Sequence, residues 1–234
     1  MSSKRPAMKL RAALTLFHVL VVSTGVQAGS IELPGQIGGA FSVPTTSMKE
    51  ARFKSTLRQQ YDFSCGSAAV ATLLTHHYNR PVTEEQVFKV MYERGDRAKI
   101  QREGFSLLDM KMYIESQGFK ADGVQAELDQ LAAAKIPAIV LIRENGYNHF
   151  VVIKGVKDGR VVFGDPASGT RVLYRAEFEK IWPNRILFVI RDKTDIALFN
   201  RDDDWKVRPK APIADGITRG ATDVLLLRRG PNDF

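Results

Sequence analysis

The sequence contains a single cysteine, Cys65, within a segment whose residue types suit nucleophilic catalysis. The segment reads Gln-Gln-Tyr-Asp-Phe-Ser-Cys-Gly-Ser-Ala-Ala over residues 59–69, and its second half is typical of a helix start. There, unpaired backbone N–H groups and the helix dipole favour a thiolate. Gly66 carries no side chain, which we expect to let a substrate backbone approach the sulfur. The alternative is a buried structural thiol, the commonest fate of a free cysteine.

Three further side chains have the types that a cysteine nucleophile needs: a base, a group that orients the base, and a donor for the oxyanion. His149 begins one β-rich run and Asp165 ends the next. Two adjacent antiparallel strands would place them side by side, and the acid would then fix the tautomer of the imidazole. Six residues before Cys65, the amide of Gln59 could reach back toward the Cys65 N–H. We therefore predict a Cys–His–Asp site with an oxyanion hole.

The other histidines are poorly placed to act as the base. His76 and His77 lie on the same predicted helix as Cys65, roughly 16–18 Å away along its axis, which is too far for proton transfer. We expect them to form a capping or surface pair at the end of that helix, favourable to the dipole when protonated. His18 belongs to an N-terminal targeting segment. His149 is left as the candidate base.

Helical and strand patterns divide the chain into two halves. Residues 29–48 are rich in Gly and Pro and read as an extended arm, and residues 49–61 fit a strand and its exit. Helices are predicted over 64–78, 83–94, 106–118 and 127–134, and β-rich runs over 138–142, 149–154, 160–163, 170–174 and 186–190. Helices followed by an antiparallel meander indicate an α+β fold in two layers.

The four candidate residues, in this order and at these spacings, resemble the C39 peptidases, papain-like cysteine enzymes that cleave double-glycine leader peptides. The resemblance covers about residues 52–191. It implies a papain-like fold with N-terminal helices packed on an antiparallel sheet. It also implies Cys65 as nucleophile, His149 as base and later acid, Asp165 as orienting acid and Gln59 as oxyanion donor. Ser64 departs from many members, in which an acidic residue precedes the cysteine.

Many C39 members are the N-terminal domain of an ATP-binding exporter. This sequence has no G-x-x-x-x-G-K-[ST] loop and no second apolar stretch of spanning length, so we do not expect that transport role. It is more similar to stand-alone periplasmic members that bear a signal peptide, in particular the type associated with functional-amyloid export.

The N-terminus reads as a secretory signal peptide over residues 1–28. A basic stretch up to Arg11 precedes an apolar run of about eleven residues and a small-residue cleavage box that ends at Ala28. Four basic residues of this segment contribute half of the net charge of +8, which weakens the case for a nucleic-acid partner. We expect export to the periplasm, an arm over 29–51, a peptidase domain over 52–191 and a C-terminal extension over 192–234 that packs on the domain or on a partner.

The sequence thus predicts a periplasmic cysteine peptidase that cleaves after small or Gly-Gly residues in an exported protein such as an amyloid subunit or a secretion component. The alternative is a C39-like module that holds a secretion substrate without cutting it. We expect no cofactor and no metal, and we interpret Asp202-Asp203-Asp204 as an acidic run on a solvated turn. Gly38-Gly39 reads as a flexible turn, and Arg219, Arg228 and Arg229 as a solvated or partner-facing patch.

Overall fold

The computed structural model describes residues 30–33, 41–44 and 47–206. Strands β1 (Ser30–Leu33) and β2 (Phe41–Pro44) pair antiparallel in a two-stranded sheet of their own. They occupy part of the segment that the sequence predicted as an extended arm. The predicted signal peptide, the Gly38-Gly39 pair and the basic patch around Arg228 lie outside the described residues.

Most of the helices that precede the main sheet have a side-chain cap at their N-terminus. The helices are α1 (Met48–Phe53), α2 (Cys65–His77), α3 (Glu84–Arg94), α4 (Arg97–Glu103) and α5 (Leu107–Ser116). Thr83 and Ser106 each form a reciprocal capping box, with Gln86 and Asp109 respectively. These boxes satisfy backbone N–H groups that a helix start leaves unpaired. The predicted starts of α2, α3 and α5 are confirmed.

Helix α1 lies where the sequence predicted a strand over residues 49–61, and that prediction is wrong. Ser47 accepts a hydrogen bond from the Glu50 N–H, and Glu50 accepts one from the Ser47 N–H. This local capping outweighs the pattern that suggested a strand. Helix α4 was not predicted, and its start is capped by Asp96, which accepts from the Lys99 N–H.

The second half of the chain forms a six-stranded antiparallel sheet in the order β3-β8-β4-β5-β6-β7. Its elements are β3 (Ala121–Gln125), α6 (Leu128–Ala134), β4 (Ala138–Glu144), β5 (Tyr147–Lys157), β6 (Arg160–Asp165), β7 (Gly169–Tyr174), α7 (Arg175–Ile181) and β8 (Ile186–Ile190). The meander β4 to β7 follows the prediction. Strand β3 was not predicted, and β8 inserts between it and β4.

Helices cover both faces of this sheet, so the predicted two layers are incomplete. On one face Ile139 and Val152 pack against α2, α3 and α5. On the other face Val151 packs with Phe178 and Trp182, from α7 and the residue that follows it, and with α6. Alternate residues of β5 therefore enter different cores, as the period of a strand requires. The class is α+β, papain-like, with the N-terminal helices packed on an antiparallel sheet as predicted.

The chain beyond β8 returns across the domain and ends, in the described part, with the short helix α8 (Asp202–Trp205). The Leu198 N–H donates to the His77 carbonyl, and the Asn200 N–H donates to the Lys154 carbonyl, each at 2.9 Å. This part of the predicted extension packs on α2 and β5. Within residues 30–33, 41–44 and 47–206, no helix has the length and apolar character to cross a membrane.

Candidate active site

Cys65 is the first residue of α2, at the position that the sequence predicted. The side chain of the preceding Ser64 does not cap the helix but bonds to the backbone N–H and carbonyl of Tyr61, which tightens the turn before the cysteine. The first-turn N–H groups of α2 are therefore available near the sulfur. Cys65 itself is only 9% exposed, because α2 packs against β5.

Burial raises the pKa of the Cys65 thiol above its ordinary value, and the charge of Asp165 acts in the same direction. The backbone N–H groups of Phe150, Gly66 and Cys65 itself oppose this effect without overcoming it. The position at a helix start led us to expect a lowered pKa, and that expectation is wrong for the resting structure. The helix start is present, but desolvation of the sulfur outweighs it.

The pH dependence of alkylation tests this state of the thiol. Because the thiolate is the reactive form, the rate with iodoacetamide should rise about tenfold per pH unit and continue to rise past pH 8.5. After unfolding in urea, the same cysteine should titrate near its ordinary value of about 8.5. A rate that levels off below pH 8 in the folded protein would instead indicate a preformed thiolate–imidazolium pair.

His149 is the third residue of β5, and its ring faces the end of β6. Its Nε2 atom lies 3.4 Å from Oδ2 of Asp165, although the two groups are not aligned as a full hydrogen bond. The next residue, Phe150, directs its backbone N–H toward the Cys65 thiol. The structure therefore brings the nucleophile, base and acid candidates to one place.

Asp165 ends β6 and is almost completely buried. Its Oδ1 accepts from the N–H groups of Ala167 and Ser168 at 2.8 and 3.3 Å, and its Oδ2 accepts from the Ser168 hydroxyl at 2.7 Å. Burial by itself would raise the pKa of this carboxyl, but its interactions with His149, Ser168 and Ala167 hold it well below the usual range. Asp165 is thus an anion with fixed orientation beside the imidazole.

Gln59 lies on the irregular segment between α1 and α2, where its backbone and side chain have separate partners. The Gln59 N–H donates to the Pro166 carbonyl at 3.1 Å, which ties this segment to the residue after Asp165. The side-chain Nε2 donates to the Tyr61 carbonyl at 3.1 Å. The same Nε2 lies 3.5 Å from the Asp62 carbonyl, so both N–H bonds of the amide have a backbone acceptor within their own segment. The expected reach of this amide toward the Cys65 N–H stays a prediction.

The comparison with protein families decides the identity of the domain. The peptidase C39 family profile matches residues 54–194. The chain belongs to the peptidase C39 family.

Relatives of this C39-family chain include a probable amyloid protease and part of a much longer processing and transport ATP-binding protein. It is 40% identical over 178 residues, 76% of the chain and 78% of the relative, to the probable functional amyloid protease FapD of Pseudomonas aeruginosa. It is 30% identical over 138 residues to the Lactococcin-G-processing and transport ATP-binding protein LagD of Lactococcus lactis subsp. lactis, covering 58% of this chain but 18% of the relative. A double glycine motif protease from an AMS/PCAT transporter, solved with a leader peptide, aligns with a TM-score of 0.48 and 26% identity over 58% of this chain and 89% of that one.

Two charged residues that the sequence analysis missed stand beside the C39 site. Arg171 on β7 forms a bidentate pair with Glu144 at 2.7 and 2.8 Å, and its Nη1 lies 3.3 Å from Oδ2 of Asp165. Potential ligand atoms of Glu144, His149 and Asp165 lie within 4.8 Å of one another. The guanidinium already pairs with both carboxylates, so this group is arranged as an ion-pair network rather than as an open metal site. No sequence motif marks these two residues.

Three local interpretations of the sequence need correction in this C39 domain. His77 is fully buried, and burial together with the charge of Lys154 lowers its pKa to about 4, so it is neither a surface residue nor a charged cap. Asp204 is buried too, whereas the other two aspartates of its run are exposed. A Cβ on Gly66 would lie 3.0 Å from the Cβ of Phe105, so this glycine serves core packing and not substrate approach.

Proposed function

We propose that this C39-family chain is a cysteine endopeptidase in which Cys65, His149 and Asp165 act as nucleophile, base and orienting acid. The observation that carries the proposal is their convergence. The imidazole of His149 lies 3.4 Å from an anionic Asp165, and the backbone N–H of the following Phe150 faces the Cys65 thiol. A buried structural cysteine would need no such neighbours.

The mechanism begins from a neutral thiol, because burial raises the pKa of Cys65. His149 takes the thiol proton as the sulfur attacks the scissile carbonyl, and Asp165 stabilises the imidazolium that forms. The Cys65 N–H binds the oxyanion, and the Gln59 amide joins it by exchanging its long hydrogen bond to the Asp62 carbonyl, 3.5 Å, for one to the substrate oxygen. His149 then protonates the leaving amine, and a water activated by the same imidazole hydrolyses the acyl-enzyme.

The proposed substrate class rests on the limited access to the Cys65 sulfur and on the similarity to FapD. Because Cys65 is only 9% exposed, a peptide without bulky side chains before the scissile bond reaches it most easily. This supports cleavage after small or Gly-Gly residues. The similarity to FapD, which bears the name of a probable functional amyloid protease, supports an exported substrate such as an amyloid subunit or secretion component. The predicted signal peptide supports a periplasmic location, with cleavage after Ala28.

A matched peptide pair tests this function. The mature full chain is incubated with a peptide that contains one Gly-Gly pair and with a twin in which the second glycine is Leu, and products are mapped by mass spectrometry. We expect cleavage after Gly-Gly at a rate at least tenfold above that for the twin. The Cys65→Ala variant should cleave neither peptide. Equal cleavage by Cys65→Ala, or no cleavage of any glycine-containing peptide by the parent, would overturn the proposal.

A further inference from the structure

A buried ammonium group lies behind the site, on the same strand as His149. The side chain of Lys154 is 0% exposed. Its Nζ donates to the hydroxyls of Ser55 and Thr56 at 2.9 Å each and to that of Thr170 at 3.2 Å, and it lies 3.3 Å from Oδ1 of Asp204. The Ser55 hydroxyl also donates to Asp204 at 2.7 Å. Four segments distant in sequence therefore meet at one charge.

Asp204, on α8, provides the negative charge that balances the ammonium group of Lys154. Burial lowers the pKa of Lys154 to about 8, and the carboxylate of Asp204 opposes this shift. An isolated buried ammonium is costly, so Lys154 depends on an anionic partner that is itself desolvated. Asp204 lies outside the span of the family match, residues 54–194. The catalytic half of the chain therefore relies on a residue from the C-terminal segment.

Separate hydrogen bonds to several parts of the domain hold the segment from Ser55 to Gln59, which begins at this cluster. Ser55 and Thr56 accept from Lys154, and Thr56 also shares a 2.7 Å hydrogen bond with Thr170. The next residue, Leu57, donates its N–H to the Thr72 hydroxyl at 2.9 Å. Gln59 donates its N–H to the carbonyl of Pro166. The segment that presents the proposed oxyanion donor is thus held at its start by Lys154 and at its end by Pro166, the residue after Asp165.

The same cluster contacts β6 one residue before Asp165. A Cβ on Gly164 would lie 2.7 Å from Oγ1 of Thr56 and 2.8 Å from Cε of Lys154, so this strand passes directly against both side chains. Gly164 pairs with Thr170, another member of the cluster, across β6 and β7. The packing of Thr56 and Lys154 against Gly164 therefore helps to fix the position of the next residue, Asp165.

We propose that the Lys154–Asp204 pair makes residues 198–206 necessary for the full catalytic rate of the peptidase. Both members of the pair act as positioning residues for Gln59 and Asp165. The proposal rests on the function proposed above for these two residues. Loss of the pair would leave the nucleophile and base in place. It would loosen the segment that carries Gln59 and the end of β6 that carries Asp165. Misplacement of such groups by about 1 Å can lower the rate about 10²-fold.

A double substitution separates positioning from simple stabilisation. Lys154→Met with Asp204→Leu replaces a buried ion pair by apolar groups, which commonly keeps or improves stability. We expect a urea midpoint at or above that of the parent, but a kcat about 10- to 100-fold lower with little change in KM. Asp203→Asn, on the exposed face of the same helix, is the control and should match the parent in both measurements. Parent-like kcat in the double variant would overturn the proposal.

Hydrogen exchange gives a readout that does not depend on cleavage. In the full chain, the amides of Leu57 and Gln59 should exchange at least tenfold faster in the double variant than in the parent or Asp203→Asn, while amides of β4 keep their protection. Unchanged exchange at both amides would overturn the positioning role of the Lys154–Asp204 pair even if the parent proved not to be a peptidase. Should the double variant fail to fold, Asp204→Asn, which keeps the shape and removes the charge, is measured in the same way and judged by the same two criteria.

Discussion

Replacing Asp165 by Asn is expected to leave the fold intact and to lower kcat/KM by about 10⁴-fold, the loss known for the wrong imidazole tautomer in a serine triad. The Asn side-chain oxygen can still accept from Ala167 and Ser168, which hold the carboxylate now. Its NH₂ group, however, cannot accept a hydrogen bond from an N–H of His149 and carries no charge to stabilise an imidazolium. Single-turnover cleavage of a Gly-Gly peptide, followed over pH 5 to 9, measures the loss.

The control for this variant is Asp158→Asn, which changes an exposed aspartate in the turn between β5 and β6. It should cleave at the parent rate, since Asp158 lies at the far end of β6 from Asp165. If Asp165→Asn cleaved as well as the control, Asp165 would be a turn residue only, and the assignment of the acid would be wrong.

The second expected result concerns Gln59, whose substitution by Ala should lower the cleavage rate by about 10²–10³-fold. The amide is needed when the carbonyl oxygen becomes an oxyanion, so binding of the uncleaved peptide should hardly change. Affinity is therefore measured in a Cys65→Ala background with and without Gln59→Ala, beside single-turnover cleavage in the active background. Gln60→Ala, at the exposed neighbouring position, is the matched control.

This paired measurement also distinguishes the peptidase from a C39-like module that only holds its substrate. In a peptidase the rate falls while affinity stays level. In a holding module the parent does not cleave, and Gln59→Ala weakens binding or has no effect. Tight binding of an exported protein without any cleavage by the parent would favour the holding module.

Local sequence signals were sufficient for most of the elements that position the site. The capping boxes at Thr83 and Ser106 and the turn pairs Asn145-Gly146 and Asp158-Gly159 act over a few residues, so they can be recognised without knowledge of the fold. The turn residues all adopt positive φ, as such hairpins require. The juxtaposition of His149 and Asp165 followed from the same signals, because neighbouring antiparallel strands have a predictable geometry.

Features that depend on tertiary packing could not be predicted in the same way. The pKa of Cys65 is set by how tightly α2 is pressed on β5, and the sequence around the cysteine shows only the helix start. Asp204 looks like a solvated acid in a run of three, and its burial is evident only once Lys154 is found opposite it. Arg171 and Glu144 belong to strands that are separated by two others in the sheet, so no spacing marks their pairing.

The placement of Cys65 on α2 and of His149 on β5 has a consequence for when activity can appear. The two residues belong to opposite halves of the domain, and they come together only when the helical half docks on the sheet. Such contacts between distant parts of a chain carry a large loop-closure cost and form late. A chain that has not finished folding therefore lacks the juxtaposition of Cys65 and His149 on which the proposed peptidase activity depends. Under the proposed function, catalysis begins only with the completed native topology, and peptide cleavage is then a sensitive measure of the fraction of molecules that have finished folding.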